Sequence, residues 1–498
     1  LNRRAAGQAG IQRLQAFENR RRWIPAFAGM TATSGIVLTF LARREYDGQV
    51  IARGRAPAGA VQGSHRTRTV MDRRYHARMP DVFRVRAAAL LSVLWLCACS
   101  ALPPANRPAA AAADAPATLL LISLDGVRPD ALGRGDTPTL DALARDGVQA
   151  WMRPSYPSLT FPNHYTLVTG LRPDRHGLIH NAMYDEALGD FRLSDREAVG
   201  NGEWYADGEP IWVTAERAGL PTATLSWPGS EAAVRGVRPT RWYPFDDTRP
   251  MDVRIDTVLG WIDEPATTRP RLATLYFEHP DKAGHDYGPS SSEYRQALRN
   301  VDTALARLVA GLRARAALDR VNLVVVSDHG MTDVPEGQVI AVESMATRAE
   351  ARIVSTGQVI GIVPNPGFET RVAERLLGAH AHYDCWRREA MPARWHFGAH
   401  PRVPPIVCQM HPGWDAIPEE AIARRPQRTR GSHGYDPALT DMRAMFIAHG
   451  PAFRHGLTLD GFDNVDVYPL LAHLLGIAPA DTDGDPATLR PALRDAAH

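Results

Sequence analysis

The stretch T-L-L-L-I-S-L-D-G, Thr118 to Gly126, is a continuous apolar run that stops abruptly at an acid and a glycine. The same shape recurs at Ala273 to Phe277, ahead of Glu278-His279-Pro280-Asp281, and at Val321 to Ser327, ahead of Asp328-His329-Gly330. Runs that are apolar on both faces suit strands of a buried parallel sheet covered by helices on either side. Between the second and third runs, Val301, Leu305, Leu308, Val309 and Leu312 keep a helical stripe within Ser291 to Leu318. Strand, helix and strand in that order make a crossover unit, and the fold class expected is α/β. Ligands of open α/β sheets bind beyond the carboxyl ends of the strands. Every Asp and His just named sits at such an end.

These residues carry metal-ligand chemistry. Asp281 and His285, four apart, can present a carboxylate and an imidazole on one helical turn. Asp328 and His329 are adjacent at a strand end, Asp125 supplies another strand-end carboxylate, and His433 lies in the Gly-flanked loop R-G-S-H-G-Y-D. Six N and O donors without a thiolate suit two Zn²⁺ ions with three protein ligands each, the open arrangement of catalytic sites. Singly, each residue has an ordinary reading as a cap or a surface hydrogen-bonder. Convergence of three strand ends and one loop on one edge outweighs it.

Thr160, in P-S-L-T-F-P-N-H-Y, is the candidate nucleophile. Pro162 suits the first turn of a helix, so Thr160 is expected near an N-cap, facing free N–H groups and the positive end of the dipole. Metal coordination can lower the pKa of an alcohol enough to make its alkoxide available. Ser155 and Ser158 have the same chemistry, and only position before the Pro-containing turn separates Thr160 from them.

Of the 498 residues, 57 are basic and 55 acidic, but they are unevenly placed. Residues 1–98 hold 17 basic and 5 acidic side chains, and residues 99–498 hold 40 and 50. An acidic body argues against nucleic-acid binding, since phosphate backbones are held by surplus positive charge. If phosphate is handled here, bound metal must supply the positive charge.

Residues 1–70 are Arg-rich without apolar periodicity, and are read as a spurious or disordered extension. Residues 71–99 read as a signal peptide: a basic segment, the ten-residue apolar run Ala87 to Leu96, then C-A-C-S. The junction resembles a bacterial lipobox, with Cys99 as the lipid-bearing residue. The expected location is therefore the periplasm or outer membrane of a Gram-negative bacterium. Residues 100–117 form an Ala/Pro linker. The remaining cysteines, Cys385 and Cys408, are a disulfide candidate in an oxidising compartment.

The motifs S-L-D-G-V-R-P-D, T-F-P-N-H-Y-T-L-V-T-G-L, H-N-A-M-Y-D, E-H-P-D-K-A-G-H-D-Y-G-P, V-V-S-D-H-G-M and G-S-H-G-Y-D occur in this order. Together they resemble the nucleotide pyrophosphatase/phosphodiesterase family of the alkaline phosphatase superfamily. The resemblance implies a mostly parallel central sheet with helices on both faces in a catalytic domain over residues 118–480. A small inserted α/β subdomain at 333–430 and a tail at 481–498 complete it. It assigns Asp281, His285 and His433 to one zinc, and Asp125, Asp328 and His329 to the other, which also binds Thr160. Asn181 would donate to a non-bridging phosphate oxygen beside the Phe161 N–H. Phe161, Leu193 and Tyr243 are its candidates for a nucleobase slot.

By the same resemblance, Thr160 attacks phosphorus in line and water then hydrolyses a phosphothreonine, giving nucleoside 5′-monophosphates. The apolar flank Phe161-Pro162 favours a diester over a monoester, and no C-x-P-x-R sulfatase motif surrounds Thr160. A choline-type phosphodiesterase using Trp242, Tyr243 and Phe245 as a cation cage, a phosphomonoesterase, and a non-catalytic envelope lipoprotein are the alternatives.

Overall fold

The structure, a computed structural model, describes residues 117–494. The expected signal peptide, Cys99 and the linker up to residue 116 lie outside the described residues. Seven strands form the body of a nine-stranded sheet: β1 (Thr118–Leu124), β2 (Val148–Arg153), β3 (Thr222–Leu225), β4 (Arg241–Tyr243), β5 (Leu272–Phe277), β6 (Val321–Val326) and β7 (Ala444–His449). Their spatial order is β2-β7-β6-β1-β5-β3-β4, and the short strands Leu457–Thr458 and Phe462–Asp463 extend the sheet beside β2.

The three apolar runs are β1, β5 and β6, with β1 between the other two and parallel to both. β3 and β4 continue the parallel set. β7 runs against both its neighbours, β6 and β2, so the sheet is mixed with one reversed strand.

Both faces are buried. Leu119 and Leu121 of β1 belong to one apolar core, and Leu120, Ile122 and Leu124 to the other, as the two-residue period of a strand requires. β6 divides the same way, with Val324 and Val326 on one side and Leu323 and Val325 on the other.

Five helices matter for the site: α1 (Thr160–Thr169), α2 (Met251–Asp263), α3 (His279–Tyr287), α4 (Ser292–Ala314) and α5 (Val467–Leu475). Ser291 caps α4, its hydroxyl accepting the Tyr294 N–H at 3.1 Å. The stripe Val301, Leu305, Leu308, Val309 and Leu312 is the face α4 buries. The helix stops at Ala314, just past the stripe, and Ala316 takes a positive φ of 48° where the chain turns back toward β6.

Residues 351–410 build a second, antiparallel sheet in the spatial order Ala351–Ile353, Val359–Pro364, Ile406–Met410, Tyr383–Arg387, Gly378–Ala379. The helix Glu369–Leu376 contributes Val372, Ala373 and Leu376 to its own apolar core. Cys385 and Cys408 lie directly opposite on neighbouring strands and form a disulfide. Buried Arg402 ties this unit to the main body, donating to Asp185 at 2.8 Å and to the carbonyls of Gly177 and Trp204 at 3.0 and 2.9 Å. Residues 481–494 also pack down, with Leu489 and Ala492 in the main core. No helix of the described residues is long and apolar enough to cross a membrane.

Candidate active site

The carboxyl ends of β1, β5 and β6 deliver the site. Asp125 follows β1 directly, Asp328 and His329 follow β6 after Ser327, and α3 carries Asp281 and His285 just beyond β5. His433 follows the short strand Arg430–Ser432, and Thr160 is the first residue of α1. All seven side chains are brought together. Thr160 Oγ1 is 3.3 Å from His329 Nε2, and His285 Nε2 is 3.0 Å from His433 Nε2. His329 and His433 stack with ring centroids 3.6 Å apart. Ligand atoms of Asp125, Asp328 and His329 lie within 4.8 Å of one another, and so do those of Asp281, His329 and His433.

Three carboxylate oxygens in this cluster, Asp125 Oδ1, Asp281 Oδ1 and Asp328 Oδ2, are buried without a hydrogen-bond partner. Each nevertheless faces a histidine nitrogen, at 3.5 Å from His329, 3.4 Å from His433 and 2.9 Å from His329 respectively. A buried carboxylate left unbonded is costly. Oxygens and nitrogens converging in this way, with only Asp328 at hydrogen-bonding distance from its histidines, are what a cation between them needs, and the all-N/O donor set fits zinc.

The electrostatics agree. Burial, then the charges of Asp328 and Asp281, push the Asp125 carboxyl well above its ordinary range. Burial raises Asp281 too. For Asp328 burial acts the same way, but His329 and His164 outweigh it and hold this carboxyl well below the ordinary value. Burial, with His329 and His285 alongside, pushes the His433 imidazole far down, so it stays in the neutral form that ligates metal. Gly126 lets the chain turn past this cluster: its φ is +67°, and a Cβ there would meet Asp281 Oδ1 at 3.2 Å.

Asn181 reaches the start of α1, but as an acceptor. Its Oδ1 takes the Phe161 N–H at 2.9 Å, so the two groups expected to flank a phosphate oxygen as donors are bonded to each other. That bond fixes the amide orientation and leaves the Asn181 NH₂ as the side-chain donor. Phe161 is half-buried and meets Phe191 edge-on at 5.8 Å. Leu193 and Tyr243 are each 38% exposed. Arg196, three residues after Leu193, donates to the Phe245 carbonyl at 2.5 Å, which draws these two segments together.

Several supporting residues carry no obvious sequence signal. The Tyr276 hydroxyl, inside apolar β5, donates to Asp125. Buried His164, one turn after Thr160, bonds Ser123 Oγ at 2.8 Å and the Thr160 carbonyl at 2.9 Å. Asn163 clamps the loop before Thr160 by donating to the carbonyls of Pro157 and Leu159, both at 2.9 Å. Fully buried Arg254 of α2 donates to Glu278 at 2.6 and 2.9 Å and to the Tyr276 carbonyl at 2.9 Å. Of these four, His164 and Asn163 fall within the quoted P-N-H-Y motif. Tyr276 and Arg254 look like ordinary strand and helix residues.

A largely parallel α/β sheet whose strand ends gather carboxylates and imidazoles, five of them close enough together to share cations, around a helix-start threonine has the alkaline-phosphatase-like fold. Within that class, the chain belongs to the type I phosphodiesterase/nucleotide pyrophosphatase family, whose sequence profile matches residues 119–436 and so encloses every residue of the cluster. The chain is 35% identical over 407 residues to human ectonucleotide pyrophosphatase/phosphodiesterase family member 1, covering 78% of this chain and 43% of that protein. It is 36% identical over 389 residues to human family member 7, covering 75% of this chain and 83% of that one. This chain thus spans less than half the length of family member 1. Murine ectonucleotide pyrophosphatase/phosphodiesterase 5, solved as an inactive threonine-to-alanine variant in complex with AMP, superposes with a TM-score of 0.72 at 32% identity, over 76% of this chain and 100% of that one.

Proposed function

We propose that this chain is a di-zinc phosphodiesterase that hydrolyses phosphodiester or phosphoanhydride bonds of nucleotides and releases nucleoside 5′-monophosphates. The observation that carries the reading is Thr160 Oγ1 at the start of α1, 3.3 Å from His329 Nε2, beside three buried carboxylate oxygens without partners. Asp281, His285 and His433 would hold one ion, and Asp125, Asp328 and His329, with Thr160, the other. Bound Zn²⁺ supplies Lewis acidity and the positive charge that the acidic body lacks.

The chain's own residues do the rest. The Thr160 oxygen gives up its proton and attacks phosphorus, the bond to the leaving oxygen breaks as that oxygen takes a proton from solvent, and the nucleotidyl group rests on Thr160 until water displaces it as the 5′-monophosphate. Asn181, held by the Phe161 N–H, aims its NH₂ at a non-bridging oxygen. Asn163 and His164 keep the first turn of α1 in place.

The AMP complex of the murine relative supports a nucleotide substrate, and the inactivity of its threonine variant supports a threonine nucleophile. A choline cage is disfavoured because Arg238 lies over Trp242 at 5.1 Å and Arg249 over Tyr243 at 4.8 Å, so cations of the chain already cover those rings. The reading extends to a periplasmic or outer-membrane location with a lipid on Cys99, which rests on the sequence alone.

Hydrolysis of p-nitrophenyl thymidine 5′-monophosphate by the purified protein, lost in Thr160→Ala, tests the proposal. Full activity in that variant rejects it. Competition among a dinucleotide, p-nitrophenyl phosphate and glycerophosphocholine, ranked by kcat/KM, should place the dinucleotide first.

A further inference from the structure

The amino ends of the central strands form an edge opposite the catalytic cluster, separated from it by the seven residues of β1, about 23 Å at a strand's rise. The described chain enters the sheet here: the Thr118 hydroxyl donates to the Pro270 carbonyl at 3.1 Å, and the Leu119 N–H to the Arg271 carbonyl at 2.8 Å. Beside Thr118 opens a cleft of about 190 Å³ walled by Arg269, Arg315 and Arg320, with Asp263 as its one carboxylate. Arg313, in the last turn of α4, lies in a neighbouring cleft that also holds Asp146.

Two of the three arginines of this cleft have no carboxylate at ion-pair distance. Many exposed arginines of the body do, as Arg299 has Asp136 at 2.6 Å and Arg307 has Asp256 at 2.6 Å. In the cleft, only Arg315 is so paired, with Asp263 at 2.8 Å. Arg269 donates instead to the Glu264 carbonyl at 3.1 and 2.9 Å, and Arg320 to the carbonyls of Ala316 and Arg315 at 3.0 and 3.4 Å. Backbone carbonyls hold these guanidinium groups in place without cancelling their charge. Three converging guanidinium groups that share a single carboxylate, Asp263, keep a surplus of positive charge that suits phosphate oxygens.

We propose that this edge is an anion-binding face that seats the molecule on a phosphate-bearing lipid surface, with the catalytic end turned away from it. Two observations favour a lipid surface over a soluble anion. The chain leading to a lipid-bearing Cys99 would start from this edge, since Cys99 is 18 residues before Ala117, within about 60 Å at full extension. The body is acidic overall, with 40 basic against 50 acidic side chains after residue 98, so an anionic bilayer can be approached only by a face where cations gather, as they do here.

The test compares the full chain with its triple variant Arg269→Gln, Arg313→Gln, Arg320→Gln, which leaves the Arg315–Asp263 pair intact. Each is floated with vesicles of phosphatidylcholine alone or with phosphatidylglycerol. Because both proteins carry the same N-terminal segments, the difference between them isolates this face. At low salt the variant should bind the anionic vesicles on the order of a hundredfold more weakly, about fivefold per arginine, with the gap closing as salt rises. Unchanged thermal unfolding shows that the variant is folded, whatever its activity. Equal binding of the two proteins to anionic vesicles overturns the proposal. So does a thermal shift of the wild type by millimolar inorganic phosphate, absent in the variant, without any vesicle difference, because the occupant is then a free anion.

Discussion

The side-chain oxygen of Asn181 accepts the backbone N–H of Phe161 at 2.9 Å, across the first turn of the helix that begins with Thr160. This bond separates two functions that one residue could combine. As acceptor, Asn181 locks the position of the residue that follows Thr160; as donor, its NH₂ is free for a substrate oxygen. Asn181→Asp keeps the acceptor and removes the donor, whereas Asn181→Ala removes both. Both variants should lose about 10²- to 10³-fold in kcat, the usual cost of one oxyanion donor. Only the alanine should also loosen the loop, seen as lower thermal stability. Near-wild-type kcat in Asn181→Asp would show that the NH₂ does not act on the substrate.

Arg254 joins the helix that carries Asp281 and His285 to the strand whose tyrosine holds Asp125. Its side chain is fully buried, and its guanidinium bonds Glu278 twice as well as the Tyr276 carbonyl. Further bonds to the carbonyls of Asp246 and Arg249, both 3.1 Å, extend it to the segment after Tyr243. Removing one partner of a buried, hydrogen-bonded pair typically costs about 3–5 kcal/mol, because the other charge is left uncompensated. Arg254→Gln should therefore lower the urea unfolding free energy by about that much and weaken metal retention on dialysis. Arg254→Lys should recover only part, since one ammonium cannot match the forked contact. A loss below about 1 kcal/mol in the glutamine variant would refute this role.

Arg254 also shows where sequence reading stops. The central strands β1, β5 and β6 are legible because each is apolar on both faces and runs into a charged residue, whereas buried β3, only four residues long, gives no such signal. Asp281 and His285 were legible because four residues is one helical turn. Strand direction is not encoded that way: A-M-F-I-A-H reads as any buried strand, yet β7 runs against its neighbours. An arginine in an amphipathic helix reads as solvated, and a tyrosine in an apolar run reads as packing. What makes Arg254 and Tyr276 functional neighbours of the cluster is which polar groups the fold aims at them. The Asn181 amide is a similar case: its place beside Thr160 was anticipated, but its use as an acceptor depends on a backbone N–H that only the folded turn presents.

The unpartnered oxygens of Asp125, Asp281 and Asp328 make metal removal a stability experiment as well as a kinetic one. Any ion that binds only the native state stabilises it by mass action, by about 4 kcal/mol when its free concentration is a thousand times Kd. Dialysis against a chelator should abolish diesterase activity and lower the melting temperature, and added Zn²⁺ should restore both. In Asp281→Asn the zinc-induced rise in melting temperature should shrink. An identical melting temperature with and without chelator would exclude metal at this cluster.

Acid should destabilise the protein through buried histidines that are not part of the cluster. Burial pushes the His176 imidazole down to about 3 and that of His180 to about 4. Both are neutral in the native state: His176 Nδ1 accepts the Leu178 N–H at 3.2 Å, and His180 Nδ1 accepts the Ala182 N–H at 3.0 Å. In the unfolded chain each titrates near its ordinary 6.5, so below that pH the unfolded state binds more protons. Their contribution is therefore fully present above pH ~6.5 and drains as pH falls, down to about 3 for His176, at roughly 1.4 kcal/mol per pH unit for each residue. His176→Gln, which can keep a hydrogen bond to Thr166 but cannot take a proton, should be less stable near neutrality yet show a shallower decline between pH 6 and 4. Urea unfolding across that range reads the slope directly. A slope equal to the wild type's would mean that His176 is already charged in the folded protein.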